Sequence, residues 1–449
     1  VRIAFVSGNQ ERLPDPVIPL GLLYVIAATP DRHEKRLVDL CFENDAESAL
    51  RTALESFSPD LVAVGMRNLQ RADYTGTGDS IAHYAGLLRT IRSVCDAPIV
   101  MGGAGFSVVP RELMGRLQPD FGISGEAEAA FPALIDAIEL GGDLGSVPSL
   151  HRFERGALVS NPPASRFVDL DSLAEPDRSL VDPRYDLESG IDSLQTSRGC
   201  PLRCDYCTYP TIEGRIGRLR SPEKVADEFE RIACERARVN HVFIVDSVFN
   251  LPTSHAHAIC KALESRSRSL PWTCYANPLG FDASLARAMA RAGCAGMEVG
   301  SDSGSDTTLE RLRKGFTTAQ VRRLHEIAAG EGIPDCHTFI LGTPHEDLDE
   351  VRRTLDFIVD LDPASVILMV WTDDAEAFDP ALRAERRRLR EAVLELVNAH
   401  RSDFPWWSIP ELGVNHDAKL FRMLRRRGLR GPLWQHARRL VADRRARSL

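Results

Sequence analysis

Net positive charge is missing from this chain. Its 449 residues carry 55 Lys+Arg against 64 Asp+Glu, a formal net charge of −9. That balance argues against an extended nucleic-acid-binding surface and leaves room only for local basic patches. Long apolar runs are missing too. The longest, 17-VIPLGLLYVIAAT-29, is too short for a membrane span and suits a buried helix. No charged leader followed by a long apolar stretch opens the sequence, so no signal peptide is expected. Ten cysteines in such a length, without a secretory signal, do not form a disulfide framework, and a reducing cytoplasm is the expected compartment. Internal repeats and low-complexity tracts are absent. What is present, 43% hydrophobic and 27% charged residues, is the make-up of a folded chain long enough for two or three domains.

The first part alternates between two periodicities. Apolar strands at 2-RIAFVS-7, 36-RLVDLCF-42, 61-LVAVGM-66 and 98-PIVMGG-103 are separated by helical patterns near 20–28, 46–57 and 80–94. Such βα alternation predicts a mostly parallel sheet, so 1–145 reads as a doubly wound, Rossmann-like α/β domain. Ligands on such sheets sit at the carboxyl ends of the strands. Those ends carry Ser7, Arg67, Asn68, Gly102, Gly103, Gly125 and Glu126. Residues 146–190 are proline-bearing with little periodicity and read as a linker. Alternation resumes over 191–375, with strands at 191-IDSLQTS-197, 241-HVFIVD-246, 272-WTCYAN-277, 294-CAGMEVG-300, 336-CHTFILG-342 and 365-SVILMV-370. This second series predicts a full or partial barrel. The remainder, 376–449, is Arg- and Glu-rich and mostly helical.

The densest chemical signal is 197-SRGCPLRCDYC-207, which sets Cys200, Cys204 and Cys207 in one loop. Gly199 and Pro201 favour a loop over a helix, and a loop can wrap three thiolates around one centre. A structural zinc ion wants four ligands, and so does a [4Fe–4S] cluster. Three cysteines would leave one iron open to bind a substrate or cofactor. On spacing alone, ordinary cysteines or a zinc site completed from afar stay open.

The Cys-x3-Cys-x2-Cys pattern, with Tyr206 before the last cysteine, resembles the cluster loop of the radical S-adenosylmethionine (SAM) enzymes. That resemblance covers about 190–375. It implies a partial (β/α)6 barrel with the loop after its first strand, a [4Fe–4S] cluster on the three cysteines, and SAM chelated to the open iron. Downstream, 244-IVDSVFN-250, 298-EVGSDSGSDTTLERLRKGFT-317 and 339-FILGTPHE-346 follow in the family's order. The first differs from the common Gly-Gly-Glu motif and looks like the cobalamin-associated branch. The resemblance implies SAM contacts from Tyr206, Asp246, Ser247, Asn277, Glu298, Ser301, Ser303 and Leu341. Each also has a plainer role: Asp246 as a helix N-cap, Glu298 as a strand-end cap, the Leu341 strand as core.

An α/β domain ahead of such a barrel resembles a cobalamin-binding domain, and a generic α/β domain is the alternative. Many cobalamin domains ligate cobalt through Asp-x-His-x-x-Gly. The matching strand end, 39-DLCFENDAE-47, has no histidine, so a protein lower ligand is not expected. Arg67 stands at a strand end facing the cofactor; as a cation it offers only donors and cannot ligate cobalt. It could instead shield the lower face, and a surface or phosphate-contacting arginine is the other reading. Tyr74 and the glycines of 74–80 suggest a loop at the same edge.

The combined resemblance implies an enzyme that methylates an unactivated carbon (or phosphorus) of a small-molecule or natural-product intermediate. Methylcobalamin would give the methyl, and SAM would serve as both methyl source and radical source. Flavodoxin or ferredoxin would supply electrons, and neither nucleic acid nor membrane is an expected partner. Ring formation or rearrangement is a second outcome, and an iron–sulfur electron-transfer protein a third. Trp406 and Trp407 could floor a substrate pocket or simply pack, and 422-RMLRRRGLR-430 could meet an acidic partner or solvent.

Overall fold

The computed structural model describes residues 1–12, 15–69, 80–164, 167–371, 379–400, 403, 406–408 and 424–436, with backbone alone at 385 and 406–408. Tyr74 and its loop therefore lie outside the described residues, as do the side chains of Trp406 and Trp407.

The first sheet has seven strands: β1 (Arg2–Ser7), β2 (Glu34–Asp39), β3 (Leu61–Gly65), β4 (Ile99–Gly102), β5 (Phe121–Ile123), β6 (Leu150–Glu154) and β7 (Ala157–Ser160). Their order is β2-β1-β3-β4-β5-β6-β7. The first five pair in parallel. The runs in β1, β3 and β4 are apolar throughout because both faces are covered. Ala4, Val6, Val62 and Val64 pack under the helices at 46–57, 80–94 and 110–117. Ile3, Phe5 and Ala63 pack under the helices at 20–28 and 130–140. The strand order reverses between β1 and β3, and a crevice opens at the carboxyl ends on either side of such a switch.

The stretch 146–190 is more than a linker. β6 and β7 form a hairpin that adds antiparallel to β5. Arg155 and Gly156 supply the two positive φ angles of its turn. Further on, buried Tyr185 donates to Asp39 at 2.9 Å and strapping residue Arg184 pairs with Glu43 at 2.9 Å, so this segment is fastened to the first sheet.

The second sheet comprises β8 (Ile191–Leu194), β11 (His241–Ile244), β12 (Trp272–Ala276), β13 (Cys294–Asp302), β14 (Asp335–Leu341), β15 (Ser365–Val370) and β16 (Trp406–Ser408); β9 (Ser197–Arg198) and β10 (Arg218–Leu219) make a small ribbon beside it. The order β16-β15-β14-β13-β12-β11-β8 is parallel throughout, an open barrel with helices between successive strands. The six expected strands are present, and the region after 376 contributes a seventh, β16, in addition to the helix Pro380–Ala399. A second piece of that region, 424–436, closes the base of the barrel. Trp434 packs against Gly296 so closely that a Cβ there would lie 2.7 Å from the indole, and Gln435 donates to the Ala295 carbonyl at 3.0 Å. Among the described residues no helix is long and apolar enough to cross a membrane.

Candidate active site between the two sheets

One cavity of about 1670 Å³ joins the carboxyl ends of the first sheet to the lumen of the second. Ser7, Arg67, Asn68, Gly102, Gly103, Gly125 and Glu126, all picked from sequence, line its first-sheet wall. Arg67 is 40% exposed, with Nη1 3.7 Å from Glu11, whose carboxylate also accepts from Asn68 at 2.8 Å. Gly103 has a φ of 98°, and a Cβ there would stand 2.6 Å from the Met66 carbonyl oxygen. The close packing of two strand-end turns therefore requires this glycine. The strand end at 39–47 brings no histidine. Among the described residues His83 is the histidine that lines the cavity, with Nε2 2.8 Å from the Gly8 carbonyl oxygen.

The cysteine loop hangs on a second forced glycine. Gly199 has a φ of 83°, and a Cβ would meet the Ile216 carbonyl oxygen at 2.2 Å. Cys200 N–H then donates to Gly214, and Asp205 N–H to Leu312, both at 3.2 Å. Tyr206 donates its hydroxyl to Asp302, and buried Lys314 stands 2.7 Å from the same carboxylate and 3.1 Å from the Tyr206 oxygen. This triad fixes the loop to the upper end of β13. Cys200 is buried, Cys204 and Cys207 are partly so, and all three thiols are free. Three cysteines in one loop leave a four-ligand centre one position short. Among the described residues, the ligating atoms of His325 and of Asp335 and His337 on β14 fall within 4.8 Å of one another.

The residues expected at SAM divide into two sets. Tyr206 stands in the loop, and Ser247 donates to Glu213 at 3.3 Å beside it. None of Tyr206, Ser247 and Asp246 lines the cavity, and Asp246 is fully buried. Its carboxylate accepts from Thr196 N–H at 2.6 Å, Ser197 N–H at 3.1 Å and both hydroxyls, so it braces the strand that leads into the loop. Burial pushes its carboxyl up to about 6 against those four bonds. Ser301 bonds His337 at 2.7 Å, Ser303 bonds Thr354 at 3.1 Å, and Leu341 is core; these side chains are spent on packing. Asn277 is buried and accepts from Leu279 N–H at 2.9 Å. Glu298 does reach the cavity, but low in the lumen, where Trp434 Nε1 donates to it at 3.1 Å.

Four residues here were not singled out from sequence. Arg198 sits two residues before Cys200 in the quoted motif, and Lys314 is one of only five lysines, so both left a trace. Glu213, which accepts from Gln195 and Gly199 at 3.1 Å each, and Trp434 left none. Arg198 and Arg218 converge on Glu126, at 3.2 and 2.6 Å, and Arg198 also reaches Glu128 at 2.7 Å. The Glu126 carboxylate is thus occupied in a clasp between the two sheets.

Comparison with known proteins agrees with this geometry. The Radical SAM superfamily model matches residues 194–358, and the B12 binding domain model matches 11–135. An uncharacterized methyltransferase of Pyrococcus horikoshii is 27% identical over 349 residues, 77% of this chain and 73% of that protein. The tryptophan 2-C-methyltransferase of Streptomyces laurentii is 25% identical over 80% of this chain and 70% of its own length. The hopanoid C-3 methylase of Methylococcus capsulatus is 28% identical over 55% of this chain and 45% of its own length. Among solved structures, the radical SAM methyltransferase TsrM of Kitasatospora setae, with cobalamin and a [4Fe–4S] cluster bound, superposes with a TM-score of 0.73 at 26% identity, covering 82% of this chain and 72% of that one. The same enzyme with tryptophan and a SAM analogue gives 0.72. With three free cysteines in one loop, a strand-end cavity on a B12-type sheet and these matches, the chain is a radical SAM enzyme with an N-terminal B12-binding domain, similar to the cobalamin-dependent radical SAM methyltransferases, and its cofactors are a [4Fe–4S] cluster, SAM and cobalamin.

Proposed function

We propose that the chain methylates an unactivated carbon of a small-molecule intermediate of natural-product biosynthesis. The observation that carries this is the single cavity, which joins a cobalamin-type strand-end wall to the barrel lumen beside the cysteine loop. Two of its relatives are carbon methylases by name, which favours carbon as the acceptor.

In this reading Cys200, Cys204 and Cys207 hold the cluster. Tyr206, Ser247 and the backbone at the upper strand ends border SAM, while Asp246 holds the loop's strand in place. Ser7, Arg67, Asn68, Gly102, Gly103 and Gly125 border the cobalamin, with the Glu126 clasp behind them. When bound, the cluster with SAM supplies hydrogen abstraction, and the cobalamin supplies the methyl group. The protein's own part is to orient the partners and keep out water: the segment 424–436 stops the base of the barrel, and the Arg198 clasp holds the two walls together. A small one-electron carrier, such as flavodoxin or ferredoxin, delivers the electrons.

The test is mass spectrometry of the reconstituted enzyme with deuteromethyl SAM, a reductant and candidate small molecules. A product heavier by one deuterated methyl supports the reading. A product altered without added methyl would replace it with cyclisation or rearrangement.

A further inference from the structure

The carboxylates lining the cavity are not equivalent. Glu11, Asp15, Glu126 and Glu128 face arginines. Glu213 accepts from Gln195, Gly199 and Ser247, and Glu188 lies on the exposed surface. Glu298 differs from all of these. It is enclosed low in the lumen, and among the described residues its only hydrogen bond is from Trp434, to Oε1 at 3.1 Å. No cation pairs with it among those residues, and none of them bonds its second oxygen. Burial pushes its carboxyl up to about 7, with the Trp434 bond opposing.

An enclosed carboxylate without a cation is costly unless something completes it. The walls around it say what would fit. Phe243 and Tyr275 meet edge to face at 5.1 Å on the same lumen surface, and the Trp434 indole forms the floor. Aromatic faces beside a carboxylate favour a cation carried on an apolar body. The cavity's exposed cations, Arg67, Arg426 and Arg430, lie elsewhere on its lining.

We propose that Glu298, held by Trp434, is the subsite for a positively charged nitrogen of the substrate, so that the methyl acceptor is an amine-bearing small molecule with an apolar or aromatic body. This rests on the methyl-transfer reading only in taking the cavity as the substrate's.

The test uses holoenzyme and calorimetric binding of benzylamine, phenethylamine and tryptamine, each against its alcohol: benzyl alcohol, phenethyl alcohol and tryptophol. At least one amine is expected to bind about tenfold tighter than its alcohol, the ordinary gain of a charge-assisted bond in an enclosed site. Glu298→Gln should abolish that preference while alcohol binding, iron content and cobalamin content stay as in wild type. Glu298→Asp, which keeps the charge, should restore part of it. Equal binding of all amines and alcohols by wild type overturns the proposal. So does an unchanged preference in Glu298→Gln, or an Asp variant that behaves like Gln. Deuteromethyl transfer is read separately: amine preference without methyl transfer would sink the proposed function and leave this subsite standing, and methyl transfer without amine preference would do the reverse.

Discussion

Arg198 Nη2 lies 2.7 Å from Glu128 Oε1, joining the residue two before the first loop cysteine to the strand-end wall of the other sheet. The same guanidinium reaches Glu126 at 3.2 Å, and its Nε donates to Gln195 at 2.8 Å. Both partners' side chains are nearly enclosed, at 7% and 5% exposure. Breaking a buried pair by removing one side leaves a buried charge, at a cost of about 3–5 kcal/mol. Arg198→Ala should lower the unfolding free energy by about that much and loosen cobalamin retention. Arg198→Lys should rescue little, because one ammonium cannot replace a fork with three acceptors. Thermal unfolding with and without cobalamin checks both.

Iron retention depends on more than the thiols. Replacing Cys200, Cys204 and Cys207 by Ala should abolish iron and leave the first sheet folded. Lys314→Met leaves Asp302 buried beside Tyr206 without its cation. That variant should lose iron during gel filtration and unfold more easily by about 3 kcal/mol. Iron content per chain equal to wild type would refute the bracing role.

Glu298 gives a pH signature. Its folded carboxyl lies near 7, above the ordinary 4.5, because burial disfavours the charged form. A raised acid contributes stability below its unfolded value and loses it as pH rises through the folded one. Across the strands it is level with Tyr275 and Cys336, and burial holds the Cys336 thiol up as well. Ligand-free wild type should therefore lose stability relative to Glu298→Gln between pH 4.5 and 7, on the order of 2 kcal/mol once cavity water is allowed for. Parallel pH curves for the two proteins would remove the premise.

Arg67 lines the strand-end wall of the cavity and offers donors only. Arg67→Ala should slow methyl transfer roughly tenfold with cobalamin retained, about 1.4 kcal/mol on the barrier, and Arg67→Lys should fall between. Spin-resonance spectra of the Co(II) form should lack nitrogen splitting from an axial base. Clear splitting would point to His83, and wild-type turnover in both variants would make Arg67 a bystander.

Much of this was legible in sequence because it rests on local pattern. The runs at β1, β3 and β4 and the capped helix at 46–57 read directly from apolar spacing. So did the three cysteines, since their loop is one short segment. What was hidden depends on distant pairing. The hairpin at 150–160 has no strong alternation, and it exists because β5 offers it an edge. Asp246 matched a motif neighbourhood, but that its carboxylate meets two N–H groups and two hydroxyls of Thr196 and Ser197 is a pairing between distant segments that no local pattern shows. Trp434 and Glu298 are 136 residues apart, and no local signal joins them.

The most direct measurement of the central claim is a single turnover with trideuteromethylcobalamin preloaded on the enzyme, unlabelled SAM and the acceptor identified by mass spectrometry. If the cavity passes the cobalamin's methyl group to substrate in the barrel, the first product carries the deuterated methyl and later products carry the ordinary one. A first product bearing an unlabelled methyl, or no added methyl at all, would contradict it.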